Sequence, residues 1–220
     1  MWHYILLAGV LVVGIGFAYV HRQQLGLTGE HAIGADDNRD SSEPTSATGH
    51  PANISWQKLD RSSDGFRVEM PTNQSQIQVP AYNESGTTDQ VNMIFANPDA
   101  DTTFSVAWED NPPVARVSRQ VADRTLQTAR DGAVERTQTT LVSESANNTQ
   151  GFPGRDFTAK NSGGGVLNSR LIYAGSRLYM LTASFPSSGS RRDKDVSRFF
   201  NSFVMTSGGN GGSGASAKND

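Results

Sequence analysis

The fold of this 220-residue chain is decided by one stretch in its last quarter, Arg177-Leu178-Tyr179-Met180-Leu181-Thr182-Ala183-Ser184-Phe185. The run from Leu178 to Ala183 is apolar at both odd and even positions. Successive side chains of a strand point to opposite faces of a sheet, so such a run is typical of a strand covered on both faces. The sequence therefore predicts a sheet that is sandwiched between other layers.

In other segments apolar residues alternate with polar ones, which predicts strands with one solvent-exposed face. This alternation predicts strands at Phe66–Met70, Val91–Phe95, Phe104–Trp108, 137–145, 155–160 and 167–173. The second and third should form a hairpin across the turn at 97–101.

Two amphipathic helices are predicted. Apolar residues recur every three or four positions after Asn111-Pro112-Pro113, which would cap and start a helix that frays near Gly132. A last helix is predicted to begin at Ser190 and to bury Val196, Phe199, Phe200 and Phe203, and Val204–Met205 could add a short strand. The fold class is therefore α+β, with an antiparallel sheet sandwiched between helices.

Composition divides the chain into four parts. Residues 1–20 contain an apolar segment, and residues 21–53 are polar and acidic and read as a disordered stalk. Residues 54–206 form one domain, and residues 207–220 are a Gly/Ser-rich disordered tail.

The segment Tyr4–Val20 has no charge and no proline over 17 residues. As a helix it would rise roughly 25 Å, at the short end of what crosses a bilayer. We predict a single-pass transmembrane signal-anchor, so the membrane is one partner. Cleavage after the small residues Gly16 and Ala18 is the alternative, and it would release a secreted domain.

Composition also excludes several kinds of chemistry. The chain has no cysteine, and its four histidines (His3, His21, His31 and His50) all precede residue 54. A thiolate or histidine nucleophile system and a zinc site of the usual ligands are excluded from the domain. Residues 54–206 hold 16 Lys and Arg against 16 Asp and Glu, so no basic surplus favours nucleic acid. No cofactor, metal or catalytic residue is predicted.

Four short motifs follow one another along the domain: Asp64-Gly65-Phe66-Arg67-Val68-Glu69-Met70-Pro71, Gly151-Phe152-Pro153-Gly154-Arg155-Asp156-Phe157, Arg177-Leu178-Tyr179 and Arg198-Phe199-Phe200-Asn201-Ser202-Phe203. Together with Trp56 and Arg170, they resemble those of the PsbP-like group of small bacterial exported domains. The resemblance covers most of Trp56 to Met205. It implies an antiparallel sheet between helices and brings no enzyme mechanism with it.

Several motifs have a structural and a functional interpretation. Asn97-x-Asp99-x-Asp101 begins like a calcium loop but lacks its glycine and glutamate, so a hairpin turn is predicted. Glu109 and Asp110 should point to opposite faces and form a solvated loop end rather than an acid/base pair. The glycines 163–165 precede a strand, which favours a flexible connection over a phosphate loop.

Arginine supplies the candidate ligand-binding residues, which are Arg155, Asp156, Arg170, Tyr173 and Arg177. If residues 174–176 form a three-residue hairpin loop, Tyr173 faces Arg177, and Arg170 lies on the opposite, apolar face beside Ile172, Leu178 and Met180. A cation there needs a partner, for which Asp156 or Glu69 could serve. The functional alternative is a clamp for a carboxylate or phosphate.

The sequence thus favours a non-catalytic, membrane-anchored domain on the extracytoplasmic side that binds an unidentified protein or stabilises an assembly. Arg22 and Arg39 follow the apolar segment and oppose this orientation under the positive-inside rule. The alternative function is a hydrolase or transferase that uses carboxylates and arginines of the domain, or a small anionic-ligand binder. An enzyme should show at least two of these groups converging in a concave pocket.

Overall fold

A computed structural model describes residues 53–82, 88–110, 118–175, 177–186 and 190–206. The predicted transmembrane segment and tail, and all of the predicted stalk except Asn53, lie outside these residues. Among the helices that are described, none is both long enough and apolar enough to cross a membrane.

The described residues form two antiparallel sheets and two α-helices. In chain order the elements are β1 (Trp56–Arg61), β2 (Phe66–Pro71), β3 (Ser75–Tyr82), β4 (Thr88–Asp99), β5 (Thr102–Asp110), α1 (Arg119–Arg136), β6 (Thr140–Thr149), β7 (Phe152–Lys160), β8 (Val166–Tyr173), β9 (Arg177–Phe185), α2 (Ser190–Ser202) and β10 (Val204–Met205). The large sheet has the strand order β3-β4-β5-β9-β8-β7-β6, and the small sheet has the order β1-β2-β10.

Strand β9 lies in the middle of the large sheet, between β5 and β8. All residues from Leu178 to Phe185 are buried. Burial at every position requires cover on both faces, so the predicted sandwich and its antiparallel sheet are confirmed.

One face of the large sheet is covered by α1, which packs on β7 and β8. Small residues of the helix, including Ala122, Ala129 and Ala133, let it approach side chains such as Phe157 and Met180 of the sheet. This side of the sheet is called the α1 face below.

The opposite face is covered by α2 and the small sheet, and it is called the α2 face below. Its core is aromatic: Phe66 lies in edge contact with Trp108 and Tyr179 and stacks on Phe203, with ring centres 5.2 to 6.0 Å apart. Phe199 meets the ring of Phe104 edge-on at 5.4 Å. Of the predicted stripe, Phe199 and Phe200 are buried and Val196 is partly buried, while Phe203 is buried just beyond the end of the helix.

The bounds of α1 differ from the prediction at both ends. The helix begins at Arg119, because the Ser118 hydroxyl caps it by accepting a hydrogen bond from the Val121 amide at 3.2 Å. It continues past Gly132 to Arg136, since Ala133 is fully buried against the sheet. Residues 111–117 lie outside the described part of the chain.

The two ends of the described domain meet the small sheet. Strand β1 begins with Trp56 opposite Pro71, at one end of β2, while β10 pairs with Phe66 and Arg67 at the other end. Thr206 then donates its amide to the Gly65 carbonyl at 2.9 Å. The chain therefore enters and leaves on the α2 face.

Candidate functional site

Arg170 is paired with Asp156, one of the two predicted partners. The residues lie opposite each other on β8 and β7. Nε and Nη2 of Arg170 donate to the two carboxylate oxygens at 2.9 and 2.8 Å, which is the bidentate geometry that suits a guanidinium. Glu69 instead accepts a hydrogen bond from Arg198 at 3.0 Å.

Further contacts fix the Arg170–Asp156 pair on the α2 face. Arg170 also donates to the Phe200 carbonyl at 3.2 Å, and its guanidinium lies 5.2 Å from the Phe200 ring centre. The Asn147 side-chain amide donates to Asp156 at 2.6 Å. The cation is thus held by a carboxylate, a carbonyl and a ring of its own chain.

Arg177 lies apart from this pair, where β9 begins beside the end of β5. Its Nε donates to Asp110 and its Nη1 to the Asp64 carbonyl, both at 2.5 Å. Burial lowers the pKa of Arg177, but its hydrogen bonds to Asp110 and Tyr179 outweigh that effect, and the net pKa is raised. The Tyr179 hydroxyl donates to the same Asp64 carbonyl at 3.2 Å.

These contacts explain the Asp64-Gly65-Phe66 motif. Gly65 has a φ of +81°, a left-handed conformation that ends the 3-10 turn at Ser62–Asp64. The turn aims the Asp64 carbonyl at Arg177 and places the Phe66 ring in the core. The motif therefore has a structural role, because its contacts join the small sheet to the large sheet.

Arg155 belongs to a third group, on the α1 face. Glu144 of β6 lies between Arg155 of β7 and Arg130 of α1 and accepts a hydrogen bond from each. Arg130 also donates to Asp131 at 2.5 Å. The network clamps α1 onto the outer two strands of the large sheet.

Tyr173 is buried on the α1 face, with 1% of its surface exposed. Burial raises the pKa of its phenol, since the phenolate would be poorly solvated. Tyr173 pairs with Leu178 and not with Arg177, and Arg170 pairs with Leu181. The predicted register of this hairpin was wrong by one residue, because the loop leaves four residues between the last paired positions.

The five candidate residues therefore do not form one site, and they lie on two faces of the large sheet. Arg155 and Tyr173 are on the α1 face, whereas Asp156, Arg170 and Arg177 are on the α2 face. The three arginines each bind a carboxylate of the domain. Ligand binding by any of them stays a prediction, and a ligand would have to replace one of these internal partners.

Glu109 corrects one expectation. It does point away from Asp110, but it is not at a solvated loop end: its exposure is 4%, whereas Asp110 is exposed. Strand β9 runs beside β5 to its last residue, so Glu109 pairs with Leu178 and lies within the sheet.

Two motifs form connections between strands, at the positions where they were predicted. Asp99 accepts the Asp101 amide at 3.1 Å and Asn97 accepts the Thr103 hydroxyl at 2.8 Å, which builds the β4–β5 hairpin. The glycines 163–165 join β7 to β8, where the Asn161 side chain accepts the Gly165 amide at 2.7 Å. Within the described ranges, no three Asp, Glu, His or Cys side chains are grouped so as to hold a metal.

The open edge of β6 is a feature that sequence reasoning missed. Strand β6 is the last strand of the large sheet, and in the described part of the chain no strand pairs with its outer edge. Seven consecutive residues, Ser143–Thr149, pair regularly with β7, and we call them the β6 edge segment. It lies between a bulge at Val142 and the turn to β7.

The β6 edge segment is polar and exposed. Five of its residues are exposed, and Asn147 and Thr149 are half-buried. It contains no proline or lysine, the residues that most often block pairing at a sheet edge. The opposite edge strand, β3, contains Pro80, which cannot donate a backbone hydrogen bond.

Comparison with solved structures finds likenesses of fold. The structure of cyanobacterial PsbP (CyanoP) from Synechocystis is 16% identical, with a TM-score of 0.45 over 74% of this chain and 99% of that one. The Saccharomyces cerevisiae Ran-binding protein Mog1p is 11% identical, with a TM-score of 0.40 over 69% of this chain and 96% of that one. A PsbP structure is thus among those of similar fold, as the resemblance of the motifs predicts.

No protein-family model matches the chain, and no curated protein matches it. The fold likenesses assign no activity, ligand or partner to it.

Proposed function

We propose that residues 54–206 are a non-catalytic protein-interaction or assembly module, anchored in the membrane by the N-terminal apolar segment and held on the extracytoplasmic side. The observation that carries the interaction role is the open β6 edge segment. An unpaired strand edge offers a row of backbone donors and acceptors, and an extended partner can bind there by adding a strand.

The placement of the arginines favours a binding module over an enzyme. A hydrolase or transferase would need carboxylates and arginines that converge on a substrate. Here Asp156 and Asp110 are taken up by Arg170 and Arg177 in separate pairs. A shallow recess of about 410 Å³ on α2 is lined by Asp193, Lys194, Ser197, Arg198 and Asn201, none of which is a candidate site residue.

The location is proposed from sequence. An uncharged run at Tyr4–Val20, followed by a long polar stretch, suits a tether. Arg22 opposes export of the domain under the positive-inside rule, but one or two charges beside so apolar a segment weaken the preference without reversing it.

A site-specific photo-crosslinker tests the interaction role. Placed at Ser145 of the full chain in its native membrane, it should give a protein adduct. The matched control is Gln76, which is exposed on the other edge strand and should give none. Absence of any adduct at Ser145, or equal adducts at both positions, would contradict the proposed use of this edge.

Protease access tests the location. In cells whose outer layers have been opened, an external protease should digest residues 54–206 while the inner membrane is intact. If the domain survives until that membrane is lysed, the orientation is inverted and the extracytoplasmic role falls.

A further inference from the structure

We infer that the partner of the β6 edge segment is a second copy of this chain, bound antiparallel through Ser143–Thr149 about a twofold axis at Ala146. This inference rests on the proposed interaction role and names its partner. The bulge at Val142 and the β6–β7 turn limit regular pairing to seven residues, and Ala146 is their midpoint. Centring the pairing there lets all seven residues take part.

The segment is complementary to itself in this register. Ser143 would lie opposite Thr149, and Ser145 opposite Asn147, so that each pair combines side chains that both donate and accept hydrogen bonds. The only charge, Glu144, would lie opposite Asn148 of the second copy. Like charges directly opposite each other destabilise strand pairs, and this register avoids that.

The charge of Glu144 is already balanced within each copy by Arg130 and Arg155. Glu144 therefore needs no cation from the partner strand, and the neutral Asn148 can lie opposite it. The residue at the twofold axis, Ala146, is exposed and is the smallest side chain of the segment, so it would not obstruct its own copy.

The twofold arrangement is also compatible with anchoring of both copies in the same membrane. Two identical antiparallel strands in one continuous sheet are related by an axis perpendicular to that sheet, so the same face is uppermost in both copies. The small sheet, where β1 begins with Trp56, lies on the α2 face. Both N-terminal segments would thus leave from one side of the dimer, as two anchors in one membrane require.

Disulfide trapping tests the inference directly, because the natural chain has no cysteine. Paired residues in antiparallel strands have Cα atoms about 4.5 to 5.5 Å apart, which is within disulfide range. The full-length Ala146→Cys variant in its native membrane should form a disulfide-linked homodimer under mild oxidation. The control, Val142→Cys, is also at an exposed position, with 55% of Val142 exposed, but its two copies would be eight positions apart, about 27 Å, and should not link.

Charge variants test the register. In full-length Ala146→Lys two lysines would face each other, so co-purification of two differently tagged copies should weaken about fivefold. Mixing Ala146→Lys with Ala146→Glu should restore it. Asn148→Lys makes the same charge change but lies opposite Glu144, so it should leave the association unchanged or stronger.

The inference is overturned if Ala146→Cys forms no homodimer, or if Val142→Cys links equally fast. Equal association of the Ala146→Lys and Asn148→Lys variants would also overturn it. The adduct at Ser145 then separates the two proposals: an adduct with a different protein leaves the interaction role standing, whereas no adduct at all removes both.

Discussion

Arg170 and Asp156 lie directly opposite each other on β8 and β7, and two parallel hydrogen bonds of 2.9 and 2.8 Å join them. Asp156→Asn should lower the free energy of unfolding by about 2 kcal/mol, because it leaves a largely buried guanidinium with a neutral partner. Denaturant titration of the purified protein measures the loss.

The matched change is Asp110→Asn at the Arg177 pair. The Arg177 guanidinium is also largely buried, but the Asp110 side chain is 65% exposed against 30% for Asp156, so water screens this pair more strongly. This variant should lose less than about 0.5 kcal/mol. Equal losses in the two variants would show that the Arg170–Asp156 pair contributes no more to the free energy of unfolding than the Arg177–Asp110 pair.

Phe199→Ala should lower the free energy of unfolding by about 3 to 5 kcal/mol, because it removes a fully buried ring beside Phe104 and leaves a cavity. Phe152→Ala is the control, since Phe152 is 39% exposed and should lose far less. A denaturant midpoint that is unchanged in Phe199→Ala would mean that the helix presents a different face to the sheet.

Gly154→Ala should destabilise the β6–β7 hairpin by about 1 to 3 kcal/mol. Its new methyl group would lie 2.1 Å from the Asn147 side-chain oxygen and 2.5 Å from the Leu171 carbonyl. Adding Asn147→Ala should recover only part of the loss, because the carbonyl remains. Full recovery would show that the backbone moves enough to relieve the contact with the Leu171 carbonyl at little cost in free energy.

Stability should fall as the pH rises above 10.0, the ordinary tyrosine pKa. Burial raises the pKa of Tyr173, and burial is also the largest cause that raises the pKa of Tyr179, so the folded state favours the protonated phenols. Their contribution is fully present below 10.0 and is lost as the pH rises towards the raised values. Denaturant midpoints across this range should fall less steeply in Tyr173→Phe than in the natural protein. Equal steepness would contradict the assignment to Tyr173.

The parts of the fold that sequence predicts well are those whose pattern depends on one element alone. The apolar run of β9 and the stripe that includes Phe199 and Phe203 each follow from a single period. Strands β1 and β3 were missed, because β1 buries little of its length and β3 contains Pro80, a poor strand signal.

The candidate site was harder to predict, because it depends on register between strands. Asp156 was among the partners proposed for Arg170, since an arginine on an apolar face needs a group of opposite charge. The ion pair of Arg155 could not be predicted in the same way. Glu144 lies on the same face of the sheet as Arg155 only because the bulge at Val142 shifts the register of β6 by one residue. The one-residue error at Tyr173 arose from an assumed loop length.

The pairing of β10 with β2 has a consequence for how the protein is made. A ribosome delivers β2 early, yet its second neighbour consists of Val204 and Met205, near the end of the described domain. Strand β2, the centre of the small sheet, therefore lacks its second neighbour until almost the whole domain has been synthesised. Closure of the small sheet is therefore a late step, which has to follow synthesis of Val204 and Met205.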